Sequence, residues 1–385
     1  MTQGKTSVEV IRVDDRHTAA LASFIQKTWD PTASEERVRR ARAASASDNP
    51  AAHGTEPPTF LLMSGGQPLG HVTTIPIRLW RSGGELPAHW VKGLMVLPEH
   101  RNGPVGFYVL KEAVTQLDTA LAMVVQPAPR KLFQALGFTD LGAMPNYLRV
   151  LDPVGFLRRL DLSALGLSGV PAWARAALRF AQRSGLARVG GAAAAATTRL
   201  WILVAGGRKH RLEIRTPEEI DRPGCDELWQ RVRSKIAATP TRDAAYLDWR
   251  YKKSEPNRYS FGAVYEDGRL AGIAVVRRPR ANGDPRLAGL RVATLSDLLF
   301  PPDRPRVGLA VLAAAETVAR RLGADALLFS CSHSVFPPLL KRRAFAPLPG
   351  NVHPLIRAAA DAQELPTSLG DWWLTRGDSS ADEVF

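Results

Sequence analysis

Residues 101–106 read Arg-Asn-Gly-Pro-Val-Gly, where an apolar run, Leu94–Leu97, gives way to a helix-like run from Phe107 to Leu117. Such a junction can hold an anion. The first N–H groups of a helix have no partner inside it, and the positive end of the helix dipole faces the same way. Gly103 and Gly106 would let a diphosphate approach the backbone closely. Pro104 brings no N–H, but its fixed φ suits the first position of a helix, where the sequence puts it. Further on comes Leu132-Phe133-Gln134-Ala135-Leu136-Gly137-Phe138, a helix that ends at a glycine and passes into a strand.

Together the two segments resemble the signature of the GNAT (GCN5-related) acyltransferase superfamily. The family's loop is Arg/Gln-x-x-Gly-x-Gly/Ala. Here Arg101 and Gly106 match, Gly103 sits one place early, and Pro104 takes the third fixed position. The resemblance implies an α/β fold with a mixed sheet, acetyl-CoA as acyl donor, and the diphosphate of coenzyme A against Arg101, Asn102, Gly103, Pro104, Val105 and Gly106. It implies that the backbone of Met95 and Val96 meets the pantetheine arm. Many relatives carry a Tyr general acid just after the Leu that opens the second segment, and an Asn upstream of it. Here those places hold Phe133 and Gln126.

Acyl transfer to an amine needs one group to take the amine's proton and another to protonate the leaving thiolate. With Phe133 in the tyrosine's place, the candidates are His71, His89, His100, Glu99 and Tyr147. His71 and His89 lie on strands that face the acceptor in this family, so the catalytic set is His71, His89 and Tyr147. A purely structural role is the competing reading for each. A histidine base with a near-neutral pKa predicts a rate that rises through about pH 6–7.

The pattern recurs. Gly66–Val72 parallels Asp267–Ile273, Pro98–Arg101 parallels Pro301–Arg304, and Leu132–Phe138 parallels Leu339–Phe345. The chain therefore reads as two GNAT-like domains, 1–150 and 211–385, joined by a basic helical linker, 151–210. In the second copy Arg306, Val307 and Leu309 stand where the first has Gly103, Pro104 and Gly106, so the second domain is expected to bind no coenzyme A.

The chain has 385 residues and a formal net charge of +14. Half of that excess lies between Leu151 and His210. Arg175, Arg179 and Arg183 share one face of a helix-like stretch, Pro171 to Arg188, with Trp173, Ala177 and Phe180 on another. The apolar stretch from Val189 to Gly207 holds Arg199 and four glycines, which makes a poor membrane span. Residues 171–207 therefore read either as a packed linker or as an interfacial contact with an anionic membrane. No aromatic-interleaved basic motif supports a nucleic-acid partner. Cys225 and Cys331 give no disulfide framework and suit a reducing cytoplasm. Cys331-Ser332-His333 is better read as the end of a buried strand than as a nucleophile. No cluster has metal-ligand spacing, and the N-terminus lacks the apolar core of a signal peptide.

The leading reading is a cytoplasmic acyltransferase acting on a small amine. The segment Tyr246–Tyr251 and the tail Trp372–Asp378 resemble uncharacterised GNAT proteins of surface-polysaccharide synthesis, which implies an amino sugar. Two other readings stay open: a Fem-like aminoacyl transferase using aminoacyl-tRNA, and a non-catalytic GNAT-like sensor or scaffold.

Overall fold

The computed structural model describes residues 8–124, 126–161, 171–206, 212–253, 258–279, 287, 289–358, 365–379 and 382. In chain order the first elements are β1 (Val8–Arg12), α1 (Thr18–Thr28), α2 (Glu35–Ser47), β2 (Thr59–Ser64), β3 (Gln67–Arg81), β4 (Gly84–Val96), α3 (Val105–Thr115), β5 (Thr119–Val124), α4 (Pro127–Ala135), β6 (Thr139–Asp140) and β7 (Met144–Val150). Three helices follow: α5 (Pro153–Arg159), α6 (Ala172–Ser184) and α7 (Leu186–Gly206). The rest are β8 (Leu212–Arg215), α8 (Arg222–Arg233), β9 (Ala238–Pro240), α9 (Ala244–Asp248), β10 (Tyr259–Glu266), β11 (Arg269–Arg277), β12 (Val292–Leu299), α10 (Pro305–Arg321), β13 (Ala326–Ser330), α11 (Phe336–Arg342) and β14 (Ala346–Ala358).

The chain forms two compact units, and each borrows from the other half of the sequence. The first unit comprises Met1–Ala143, Ala238–Thr241 and Asn351–Leu369. Its sheet runs β1-β2-β3-β4-β5-β14, antiparallel except for the parallel β4–β5 pair. Helix α3 crosses between the two parallel strands. Its buried residues Val105, Val109, Leu110, Ala113 and Val114 recur at helical spacing and pack with Phe60, Val72, Ala122 and Leu355. Gly70 on β3 admits the helix, because a Cβ there would lie 2.6 Å from Val105 Cγ1.

The second unit comprises Met144–Ala237, Arg242–Gly350 and Gly370–Phe385. Its sheet runs β8-β10-β11-β12-β13-β7, again with one parallel pair, β12–β13, crossed by α10. Both units therefore follow one strand order, and the sixth strand of each comes from the other half of the chain. This moves the expected boundary at residue 150: β7 completes the second unit, while Asn351–Ala358 of β14 completes the first. The C-terminal tail packs into this unit, with Trp372 and Trp373 fully buried and the Trp373 indole N–H donating to the Leu298 carbonyl at 3.0 Å.

One further helix appears, and one expectation changes. The polar stretch from Pro31 to Pro58 contains a helix, α2, whose N-terminus is capped by the Ser34 hydroxyl accepting from the Arg37 N–H. The helix-like stretch from Pro171 to Arg188 breaks at Gly185, which takes a left-handed conformation with φ +80°. Residues 207–211 and the side chain of Arg175 lie outside the described residues.

Candidate active site

Two features of the first unit create a site. One is a fork between β4 and β5. Their ladder spans only His89–Ala120 and Trp90–Leu121, although both strands run on to Val96 and Val124. Beyond Trp90, β4 makes no further pairing with β5 among the described residues, so another molecule could align along this edge. The cause is a bulge. Gly93 has φ +63°, and the β3–β4 register shifts between His71 and Thr73, which pair with Met95 and Lys92.

The second feature is the cradle. Helix α3 starts at Val105 with no side-chain cap, and the Tyr108 N–H is the first to bond back, to the Pro104 carbonyl at 3.0 Å. The N–H groups of Val105, Gly106 and Phe107 thus sit at the positive end of the helix dipole, free to meet an anion. Pro104 is the N-cap rather than the first helical residue expected from the sequence. Its missing N–H therefore removes no donor from the first turn. Arg101, Asn102, Gly103 and Pro104 are exposed around this end, while Gly106 packs between Val96 and Leu132. Arg101 Nε donates to the Val96 carbonyl at 3.3 Å, which engages one of the groups expected to meet the pantetheine arm. Met95 and Val96 lie on the forked edge, half-buried.

The remaining expected site residues separate. His71 sits at the bulge, where its Nδ1–H donates to the Gly93 carbonyl at 2.8 Å. Phe24 stacks on its ring at 5.8 Å and Trp29 leans over it at 5.5 Å. Burial, reinforced by the nearby Lys92 charge and only partly opposed by the Gly93 bond, pushes its pKa down to about 4. At neutral pH the ring is uncharged with its lone pair on Nε2, a weaker base than the near-neutral histidine expected. His89 pairs with Pro76, on the closed side of the fork. Four residues of strand separate it from Gly93, about 13 Å at the usual rise. It lines a separate cavity of about 240 Å³ with Arg12, Thr55, Glu56, Pro58 and Pro87. Burial lowers its pKa too; the Asp118 charge opposes this and Arg12 adds to it. Tyr147 stands in the second unit, opposite Phe329 on β13, and burial raises its pKa.

Phe133 is a core residue. It meets Phe138 edge-on at 5.0 Å and is nearly inaccessible, so it seats α4 rather than facing a ligand. Gln126 is the exposed N-cap of α4, ahead of Pro127. A feature the sequence reading missed lies beside it: His353 on β14 links Arg130 of α4, at 2.7 Å, to Asp140, at 3.0 Å. Gly93 and Trp29 were missed as well. An isolated glycine in the strand-like run Val91-Lys92-Gly93-Leu94 is a bulge signal.

The equivalent junction of the second unit differs from the first. Gly308 of α10 packs as Gly106 does, against the leucine that opens the following helical segment, Leu339 in place of Leu132. Matched on those glycines, α10 begins earlier than α3. Pro305 and Arg306 extend it, and the buried Phe300 ring lies where a Cβ on Gly308 would collide at 2.6 Å. A glycine is therefore present, with an aromatic ring packed against it. The Cys331 thiol is buried, as expected, and burial pushes its pKa well up.

No protein-family model matches the sequence, and no curated protein does. Solved structures do match. A GCN5-related N-acetyltransferase from Anabaena variabilis is 10% identical with a TM-score of 0.54, covering 91% of this chain and 72% of its own. One from Kribbella flavida is 12% identical with a TM-score of 0.54, covering 92% and 71%. The chain has a GNAT fold. Saccharomyces cerevisiae N-myristoyltransferase with bound myristoyl-CoA shares it, at 13% identity and a TM-score of 0.54, over 92% of this chain and 84% of that one.

Proposed function

We propose that the protein is an N-acyltransferase using a coenzyme A thioester, acetyl-CoA in the simplest case, with the donor held by the first unit. The observation that carries this reading is the alignment of the forked β4 edge with the uncapped start of α3. A thioester arm can extend a strand along Met95 and Val96 while its diphosphate meets the N–H groups of Val105, Gly106 and Phe107. Lone-pair attack by the amine nitrogen on the thioester carbonyl forms the amide and breaks the C–S bond. The nitrogen gives up a proton and the thiolate gains one. His71 serves as a positioning residue that fixes the Gly93 bulge, rather than as a base.

The acceptor in this reading is a small amine, and an amino sugar fits best. Trp29 presents a half-exposed indole beside His71, a surface on which the C–H face of a sugar ring can lie. The second unit supplies no donor site. The test is titration with acetyl-CoA, followed by thiol release against a panel of amines. One site per chain and turnover with an amino sugar are expected. Trp29→Ala should raise the acceptor KM about tenfold and leave acetyl-CoA affinity unchanged. Two equivalent sites, or none, defeat the reading. Binding without turnover on any amine leaves a sensor.

A further inference from the structure

Helices α6 and α7 carry apolar residues where a globular protein puts polar ones. On α7, Leu186, Val189, Ala193, Ala196 and Leu200 follow helical spacing along one face, and all five are exposed. The opposite face is the packed one: Ala187 is buried, and a Cβ on Gly191 would lie 2.6 Å from Val154 Cα of α5. On α6, Trp173 and Phe180, two turns apart, are 73% and 65% exposed. The Gln182 amide anchors this helix by donating to the Leu157 and Leu160 carbonyls, each at 2.9 Å. Six of the eleven exposed large apolar side chains among the described residues lie on these two helices, so the exposure is concentrated rather than scattered.

Charge indicates what covers this face. Residues 153–206 contain seven arginines and a single acid, Asp161. Arg179, Arg183, Arg188 and Arg199 are exposed beside the apolar stripes. Aromatic and aliphatic side chains flanked by arginine, with almost no carboxylate, match the acyl–headgroup boundary of an anionic bilayer. No helix among the described residues is long and apolar enough to cross a membrane, which leaves lying in the interface. We propose that α6 and α7 dock the protein on an anionic bilayer surface, with the apolar stripes in the interface and the arginines on lipid phosphates. This does not depend on the acyltransferase reading.

The experiment is co-sedimentation of the full chain with phosphatidylcholine vesicles, with and without phosphatidylglycerol, at low and raised salt. Binding to the anionic vesicles, weakened by salt, is expected. Trp173→Ser with Phe180→Ser should lower the partition coefficient at least about tenfold. Arg179→Glu with Arg183→Glu should abolish the preference for anionic lipid. All four side chains are exposed, and circular dichroism with acetyl-CoA titration confirms that the variants fold. No binding, equal binding to neutral vesicles, or unchanged binding by the serine variant overturns the proposal. So does self-association of the wild type that the serine variant abolishes without any vesicle binding, because the face then joins two copies of the chain.

Discussion

His71 and Gly93 are joined by a 2.8 Å hydrogen bond from the imidazole Nδ1–H to the glycine carbonyl, across the point where β4 leaves β5. The bond ties a buried side chain to the residue whose positive φ makes the bulge. A side chain that only orients the forked edge can be replaced by another donor at the same place; a base cannot. The Asn amide can supply that donor, so His71→Asn should keep most of the wild-type kcat/KM. His71→Ala should lose about tenfold to a hundredfold through misplacement of the thioester. The rising limb of the pH–rate profile should follow the pKa of the amine substrate, and neither variant should move it. Equal inactivity of Asn and Ala would return His71 to the role of base.

The same burial makes stability depend on pH. The folded-state pKa of His71 is about 4, against an ordinary value of 6.5, so the unfolded chain takes up the proton first. Its contribution to stability is present in full above about pH 6.5 and is lost as the pH falls towards 4. The loss approaches roughly 3 kcal/mol if the whole shift is expressed. Urea denaturation between pH 4 and 7 should show this slope in the wild type and a shallower one in His71→Asn. Parallel slopes would mean that the imidazole is not buried as described.

Much of this was legible in the sequence. The cradle and the Leu132–Phe138 segment are local patterns, and local patterns survive in a single sequence. Helix α1 is legible too, because its apolar residues recur at helical spacing. Helix α2 is not legible, because only Val38 and Ala46 are buried on it, which leaves no apolar stripe to read. The exchange of β7 and β14 was invisible for a different reason. Both strands satisfy the same alternation whichever sheet they join, and only the long-range pairings of Tyr147 with Phe329 and of Leu355 with Ala122 decide it. The inaccessibility of His71 was hidden likewise, since it depends on Phe24 and Trp29 arriving from α1 and its end.

The two helix glycines should separate binding from packing. Gly106→Glu places a carboxylate where the diphosphate would lie and should abolish acetyl-CoA binding by calorimetry. A smaller steric effect accompanies it, since a Cβ at Gly106 meets Val96 and Leu132 at 3.4 and 3.5 Å. Gly308→Ala brings a Cβ within 2.6 Å of the Phe300 ring and should destabilise the protein by about 1–3 kcal/mol. It should leave acetyl-CoA affinity unchanged. Weakened binding in Gly308→Ala would place donor chemistry in the second unit.

Arg242 tests the core of the second unit. Its guanidinium is wholly buried, donating to Asp297 at 2.9 Å and to both oxygens of Asp378 at 2.7 Å. Burial works against its charge, but the two carboxylates more than offset that and raise its pKa. Arg242→Met keeps much of the apolar volume but removes the buried charge that both carboxylates face. A loss of about 3–5 kcal/mol is expected at neutral pH, because a buried charge without its partner is costly. The sign of the pH dependence follows. Burial already holds the Asp378 pKa up at about 6, while the Arg242 charge opposes it. Removing the guanidinium raises it further, so the folded variant binds that proton more tightly than the unfolded chain. Stability is then retained at low pH and lost as the pH rises through the raised Asp378 pKa. The deficit of Arg242→Met relative to wild type should therefore be smaller at pH 5 than at pH 8 in urea denaturation. A deficit that is small at both, or larger at pH 5, would mean that the arginine does not lower the Asp378 pKa.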